Sequence, residues 1–174
     1  MQKLILKNFH SPGDVVMLTA AVRDLHLNYP GEFQTDVRTA CQELWENNPY
    51  VTRIRDRDPL ARVIDCDCEL INSSNDHPLH FVEAFTDCLN RVLNLKIKPT
   101  AFKGDLHLSP QEKMWYSQVH ELAGVDLPYW ILASGGKYDV TVKWWDPARY
   151  QEVIDYFQGR IQFVQIGEWG HWHP

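Results

Sequence analysis

The chain has 174 residues and a formal charge of −6, long enough for one domain with a sizeable core but short for two. An apolar fraction of 44%, a charged fraction of 23% and seven each of Trp, Tyr and Phe exclude extensive disorder. The negative balance argues against nucleic acid as the main partner, and no apolar run approaches the ~20 residues of a membrane-spanning helix.

Leu4, Ile5 and Leu6 between Lys3 and Lys7 make a short continuous apolar run, suited to a strand buried on both faces. The run is too short and interrupted for a signal peptide and reads as the first strand of a cytoplasmic protein. After the turn His10-Ser11-Pro12-Gly13, a helix is expected from about Asp14. Val15, Leu18, Val22, Leu25 and Tyr29 recur there at steps of three and four, and Pro30-Gly31 stops it. Phe33–Val37 reads as a second strand, Thr39–Asn47 as a short helix and Val51–Arg55 as a third strand. Arg53, Arg55 and Arg57 alternate with Ile54, Asp56 and Asp58, the pattern of a solvated edge. Arg62–Cys66 reads as a fourth strand. Asn72–Pro78 is turn-rich loop, and His80–Leu95 is a helix with Phe81, Phe85, Cys88 and Val92 on one face.

Ser109-Pro110-Gln111-Glu112 carries a capping box with Pro at the first helical position. It predicts a helix through Met114, Trp115 and Val119 that stops at Gly124. A linker follows over Val125–Pro128. Beyond it come a strand, Tyr129–Ala133, a helix from Asp146-Pro147 with Gly159 past its end, and a last strand, Ile161–Ile166. Alternation of strand and helix means an α/β fold with a mainly parallel, Rossmann-like sheet, divided as 1–124 and 125–174. The second part is a single strand-helix-strand unit that cannot cover its own faces, so either further sequence or a second copy of the chain completes it.

Cys41, Cys66, Cys68 and Cys88 are too few and too irregular for a disulfide framework or a zinc ribbon; buried free thiols fit Cys66 and Cys68, which share one face of a strand, and reduced cysteines fit all four. Ligands of open α/β sheets bind beyond the carboxyl ends of the strands, and two turns at that edge carry suggestive residues. In Ser11-Pro12-Gly13-Asp14, Gly13 allows close approach, the helix N-terminus favours an anion, and Asp14 either caps the helix or serves as general base. In Ser134-Gly135-Gly136-Lys137, glycines after a strand with a nearby Lys suit a phosphate, although P-loop spacing is absent and an ordinary loop is the alternative. His171 and His173, interleaved with Trp169 and Trp172, lack the further ligands of a zinc site, so no metal is expected. His10 and His107 are unpaired in sequence.

The segment from Lys3 through His10-Ser11-Pro12-Gly13-Asp14, the helix ending Asn28-Tyr29-Pro30, and Glu46-Asn-Asn-Pro49-Tyr50-Val51 together resemble the opening of the lipopolysaccharide heptosyltransferases, ADP-heptose-dependent glycosyltransferases of family 9. Gly135-Gly136-Lys137 through Lys143-Trp144-Trp145-Asp146-Pro147 resembles the first turn of that family's nucleotide-sugar domain. The resemblance implies a GT-B architecture of two Rossmann-like domains, with the acceptor on the first and the sugar nucleotide on the second. It further implies an inverting, metal-independent transfer to a saccharide or protein hydroxyl. No cofactor is implied, since the nucleotide-sugar is a substrate.

By the same resemblance Asp14 matches the catalytic base, with His10, Ser11 and Gly13 around the acceptor. Lys143, with Gly135 and Gly136, matches the group that meets the donor's diphosphate, and Glu168 lies toward its nucleoside. Pro12 stands where the family carries a flexible apolar residue, and the family's acidic donor-binding turn is missing. The resemblance therefore implies an enzyme once the second domain is supplied; a truncated relative that binds a saccharide or a protein is the alternative. Peripheral membrane association and homo-oligomerisation both stay open.

Overall fold

The computed structural model describes all residues except 72, 125–127, 137 and 139–143. These residues form two compact units, Met1–Lys113 and Met114–Pro174. The first contains β1 (Gln2–Asn8), α1 (Pro12–Asn28), β2 (Phe33–Thr39), a 3-10 turn over Gln42–Trp45, β3 (Ala61–Asp65) and α2 (Phe81–Leu93). Its three strands lie in the order β2-β1-β3, all parallel.

Central β1 is the continuous apolar run, with Leu4, Ile5 and Leu6 all buried. Leu4 and Leu6 share a face with Phe33, Val37 and Ile64, and these pack in one core with Val15, Leu18, Val22 and Leu25 of α1 and Phe85 and Leu89 of α2. Each such side chain stabilises the fold by roughly 1.5–3 kcal/mol when fully buried. The thiols of Cys66, Cys68 and Cys88 are free and buried, as expected for Cys66 and Cys68, and burial pushes all three up from the ordinary thiol range. They stay protonated and act as small apolar groups.

The other face of the sheet, which carries Lys3, Ile5, Asp36 and Arg38, is met by residues of the 52–60 connection. These depart from the expected third strand. Only Val51 pairs with Thr35, as an isolated bridge, followed by Thr52 N–H donating to Thr35 O at 2.8 Å. Side chains then replace the backbone ladder. Buried Asp36 accepts from Ile54 N–H at 2.6 Å, Arg38 donates to Ile54 O at 3.0 Å and to Asp56 at 3.0 Å, and Lys3 pairs with Asp58 at 2.7 Å. The alternating arginines ride on this connection, Arg53 exposed and near Asp56. The short helix expected over Thr39–Asn47 is a single 3-10 turn.

A second strap holds α1 from outside. Arg23 and Asp24 are both buried and pair at 3.0 and 3.1 Å. Arg23 also donates to Lys103 O and Ala101 O, while Asp24 accepts from Thr100 N–H and hydroxyl. A charged pair with its remaining hydrogen-bonding positions filled in this way tolerates burial.

The helix expected from Ser109 to Gly124 is broken. Its capping box forms, with Glu112 N–H donating to Ser109 Oγ at 3.1 Å and Ser109 N–H donating to Glu112 at 2.7 Å. The helix behind it reaches only Met114 as a 3-10 turn, then resumes as α3 (Gln118–Ala123). Met114, Trp115 and Tyr116 are exposed, and a short helix with no buried face is unstable in water. Gly124 ends α3 at φ 67° as expected. The compact units divide at this break, between Lys113 and Met114 rather than after Gly124; residues 125–127 of the expected linker lie outside the described residues.

The second unit continues with β4 (Tyr129–Leu132), α4 (Pro147–Phe157) and β5 (Gln162–Gln165), with β4 and β5 parallel. Asp146 caps α4, accepting from Ala148 N–H at 2.9 Å. Among the described residues of this unit no apolar side chain is buried, as expected for a strand-helix-strand unit whose sheet faces are open.

Candidate functional site

At the carboxyl end of β1 the backbone turns into α1 through a tightly connected set of polar groups. Asn8 is buried and donates to Cys66 O at 2.9 Å, tying the ends of β1 and β3 together. Its Oδ1 accepts from His10 N–H at 3.0 Å. Ser11 is the N-cap of α1, and Pro12 occupies the first turn, where its missing N–H costs nothing. Asp14 Oδ2 accepts from Ser11 N–H at 3.2 Å and from Ser11 Oγ–H at 2.7 Å. Asp14 therefore does cap the helix, while its Oδ1 takes no hydrogen bond among the described residues. Gly13 needs no left-handed backbone, and a Cβ there would meet only Ser11 Oγ at 3.8 Å. Its value lies in leaving the face of the turn open.

His10, unpaired in sequence, meets Asp67: Nε2 lies 2.8 Å from Oδ1. The ring joins Lys7, Asn8, Phe9, Asp65 and Asp67 around an open depression of about 250 Å³. Asp67 escapes a reading that stops at the cysteines flanking it, although their alternation carries the signal. With Cys66 and Cys68 turned into the core, Asp67 must face the other way in extended chain.

In the second unit, Ser134 is buried and accepts from Gln165 Nε2 at 2.8 Å. Gly135 and Gly136 follow. Gly136 N–H donates to Trp172 O at 2.9 Å, and Trp172 N–H donates back to Gly136 O at 3.2 Å. A Cβ on Gly135 would overlap the Trp172 carbonyl, so this close backbone approach requires glycine. The Trp172 ring stacks on Trp144 with centroids 4.5 Å apart. The expected phosphate turn thus receives the chain's own Trp172 and His173. Lys137 and Lys143 lie outside the described residues.

Glu168 sits in a turn with the two histidines. Its carbonyl accepts from His171 N–H at 3.1 Å and lies 3.0 Å from His173 Nε2, and its exposed carboxylate lies 3.5 Å from His171 Nε2. The His171 and His173 rings stand 6.4 Å apart. Among the described residues no group of three or more His, Cys, Asp or Glu is arranged to hold a metal ion. No described helix is long and apolar enough to cross a membrane.

No family model and no curated protein matches the sequence. Among solved structures, the crystal structure of the glycosyl transferase family 9 from Veillonella parvula DSM 2008 superposes on 95% of this chain with a TM-score of 0.70 and 13% identity. The two share a fold. The parallel α/β units of this chain correspond to 62% of the Veillonella parvula protein, so the chain spans less than two thirds of that protein's length. At this identity the likeness is one of architecture, and the roles of individual residues rest on the local geometry.

Proposed function

We propose that this chain is a glycosyltransferase, or a fragment of one, that moves a sugar, heptose, from ADP-heptose to a hydroxyl of a saccharide or protein acceptor. One observation carries the reading: the chain shares the architecture of a family 9 glycosyl transferase over nearly its whole length, with Asp14 at the carboxyl end of β1, where open α/β sheets take their ligands. In this reading Asp14 Oδ1 removes the proton of the attacking acceptor hydroxyl. Ser11 holds the carboxylate through Oδ2 and fixes which oxygen is free. His10 and Gly13 border the acceptor.

The sugar departs from a diphosphate, whose growing negative charge needs a cation or oriented N–H donors. Lys143 supplies the charge and the Gly135-Gly136 turn supplies close backbone approach, while Glu168 lies toward the nucleoside. In line with the family resemblance, the transfer on this reading inverts the anomeric centre and needs no metal, with Lys143 meeting the leaving diphosphate.

The test is a calorimetric titration of the chain with ADP, UDP, GDP and ADP-heptose, beside Lys143→Ala. Saturable binding of the adenine nucleotides, weakened at least tenfold in the variant, is expected. Binding that ignores the base, or that Lys143→Ala leaves unchanged, would remove the donor assignment.

A further inference from the structure

The Gly135-Gly136 turn holds a feature that neither capping nor packing accounts for. Trp144 Nε1–H is shielded from solvent and has no acceptor among the described residues. A buried donor without a partner is destabilising and uncommon in native folds. This one is close to the turn, since a Cβ built on Gly136 would lie 3.4 Å from Trp144 Nε1. The same indole carries the stacked Trp172 ring on its face and meets Tyr138 edge-on at 5.5 Å. Two N–H groups therefore lie close together beyond the carboxyl end of β4, those of the Gly136 backbone and the Trp144 indole. The first is occupied by Trp172 O, and the second has no acceptor among the described residues.

What covers them is lightly held. The backbone bridge between Gly136 and Trp172 is a single isolated pair, not a strand. Among the described residues, the other polar and ring contacts from residues 167–174 to the rest of the chain are Gln165 Nε2 donating to Pro174 O at 3.0 Å and the ring stack on Trp144; the His173 contact with Glu168 O lies within the segment itself. Gly170 at φ 86° makes the turn, and Trp169 beside it is fully exposed. Carbonyl oxygen in the place of a phosphate oxygen, on a segment with few anchors, describes a stand-in that a stronger acceptor can displace.

We propose that residues 167–174 form a displaceable strap over the Gly135-Gly136 turn, and that its release presents Gly136 N–H and Trp144 Nε1–H together to the diphosphate of a nucleotide. This rests on the donor reading above and adds to it a binding residue, Trp144, and a conformational step before binding. The apparent affinity of the chain for a diphosphate is then its intrinsic affinity reduced by the fraction of molecules with the strap released.

Three full-length chains test this: wild type, Trp172→Pro, which removes both the ring and the N–H that donates to Gly136, and Trp172→Pro combined with Trp144→Phe. Each is titrated with ADP and with inorganic pyrophosphate, and hydrogen exchange at the Gly136 amide is followed by NMR. Gly136 is expected to exchange slowly in the wild type and fast in Trp172→Pro. ADP and pyrophosphate should bind Trp172→Pro about tenfold more tightly than wild type, and Trp144→Phe should remove roughly tenfold of that affinity, the scale of one hydrogen bond to a charged group. Trp172→Ala, which keeps the backbone pair and loses only the stack, gives a smaller gain in the same direction if the proline variant does not fold. Affinity unmoved by Trp144→Phe overturns the role of the indole. Equal ADP affinity in wild type and Trp172→Pro, with Gly136 exchange still different, overturns displacement while leaving the donor site intact. Absence of binding in every chain overturns the strap's role and the donor reading together.

Discussion

The two oxygens of Asp14 stand in different surroundings, and the proposed base role uses the one that the cap does not. Oδ2 is engaged by Ser11, through both the backbone N–H and the hydroxyl, and Oδ1 is left for an incoming group. Asp14→Asn separates the two. The amide keeps one oxygen for Ser11 but cannot take a proton, so the fold loses at most the ~1 kcal/mol of a helix cap. If Asp14 is the base proposed above, transfer should fall by roughly 10²–10⁴-fold. Transfer at the wild-type rate in Asp14→Asn would mean that Asp14 is a cap and nothing more.

His26 shows how a single half-buried side chain sets a pH dependence. It stacks on Tyr50 at 5.3 Å, with Nε2 2.9 Å from Thr35 Oγ1, and burial holds its pKa below the ordinary 6.5. In the window below 6.5 the unfolded chain binds a proton that the folded chain resists, so stability rises with pH there. The neutral ring's contribution is fully present above pH 6.5 and is lost as pH falls through the lower folded value. Asp58, held down by Lys3, acts in the same direction only in the acid range of carboxylates. Urea unfolding at pH 7.5 and 5.5 should therefore show a larger loss for wild type than for His26→Gln. Equal losses would show that His26 does not carry the dependence.

At the scale of elements, the strap along α1 matters as much as the helices. Residues 98–105 lie along α1 through Asn28, Asp24, Arg23 and Thr19, and Gly104 is the point of closest approach. A Cβ there would come within 2.5 Å of Val16 Cγ1 and 3.3 Å of Val16 O. Gly104→Ala should destabilise the first unit by about 1–3 kcal/mol through overpacking. Adding Val16→Ala should recover part of that loss, because the two sites share one contact and are not additive. A double mutant whose losses simply add would place the strain elsewhere.

The same elements show what can be read from sequence. The strands β1, β2 and β3 and the helices α1, α2 and α4 are legible because each carries its own periodicity and stop signals. Leu4-Ile5-Leu6 announces a buried strand, and Pro30-Gly31 and Gly124 end helices without reference to the rest of the chain. Residues 51–55 have the composition of a strand, yet the decisive partners, Asp36 and Arg38, lie on another element and substitute side chains for a ladder. Ser109–Gly124 has a good cap but no face to bury, which is a property of the surroundings. In the candidate site the turn at Asp14 and the pair Gly135-Gly136 are visible locally. The His10–Asp67 contact and the seating of Trp172 on Gly136 are not, since each joins residues distant in sequence.

The molecule as a whole divides its stability unequally. Apart from Ser134, every buried residue among those described belongs to Met1–Lys113, where a three-stranded sheet and two helices share one core. The second unit is held by aromatic contacts such as Trp130 with half-buried Phe157 and Phe163 and by a two-stranded parallel sheet. Sheets of that kind depend on cover from both sides, and here Trp130 and Ile131 of β4 remain exposed. Local opening is easiest where few apolar contacts are buried. Native-state hydrogen exchange on the full chain should therefore find β1 and β2 amides exchanging only through global unfolding. Those of β4 and β5 should exchange through a much smaller opening, by a difference on the order of several kcal/mol. The difference bears on the proposed strap as well, because a turn set on a loosely held sheet can open at small cost. If instead β4 and β5 are as protected as β1, the two units are energetically one, and the Gly135-Gly136 turn is as rigid as that core.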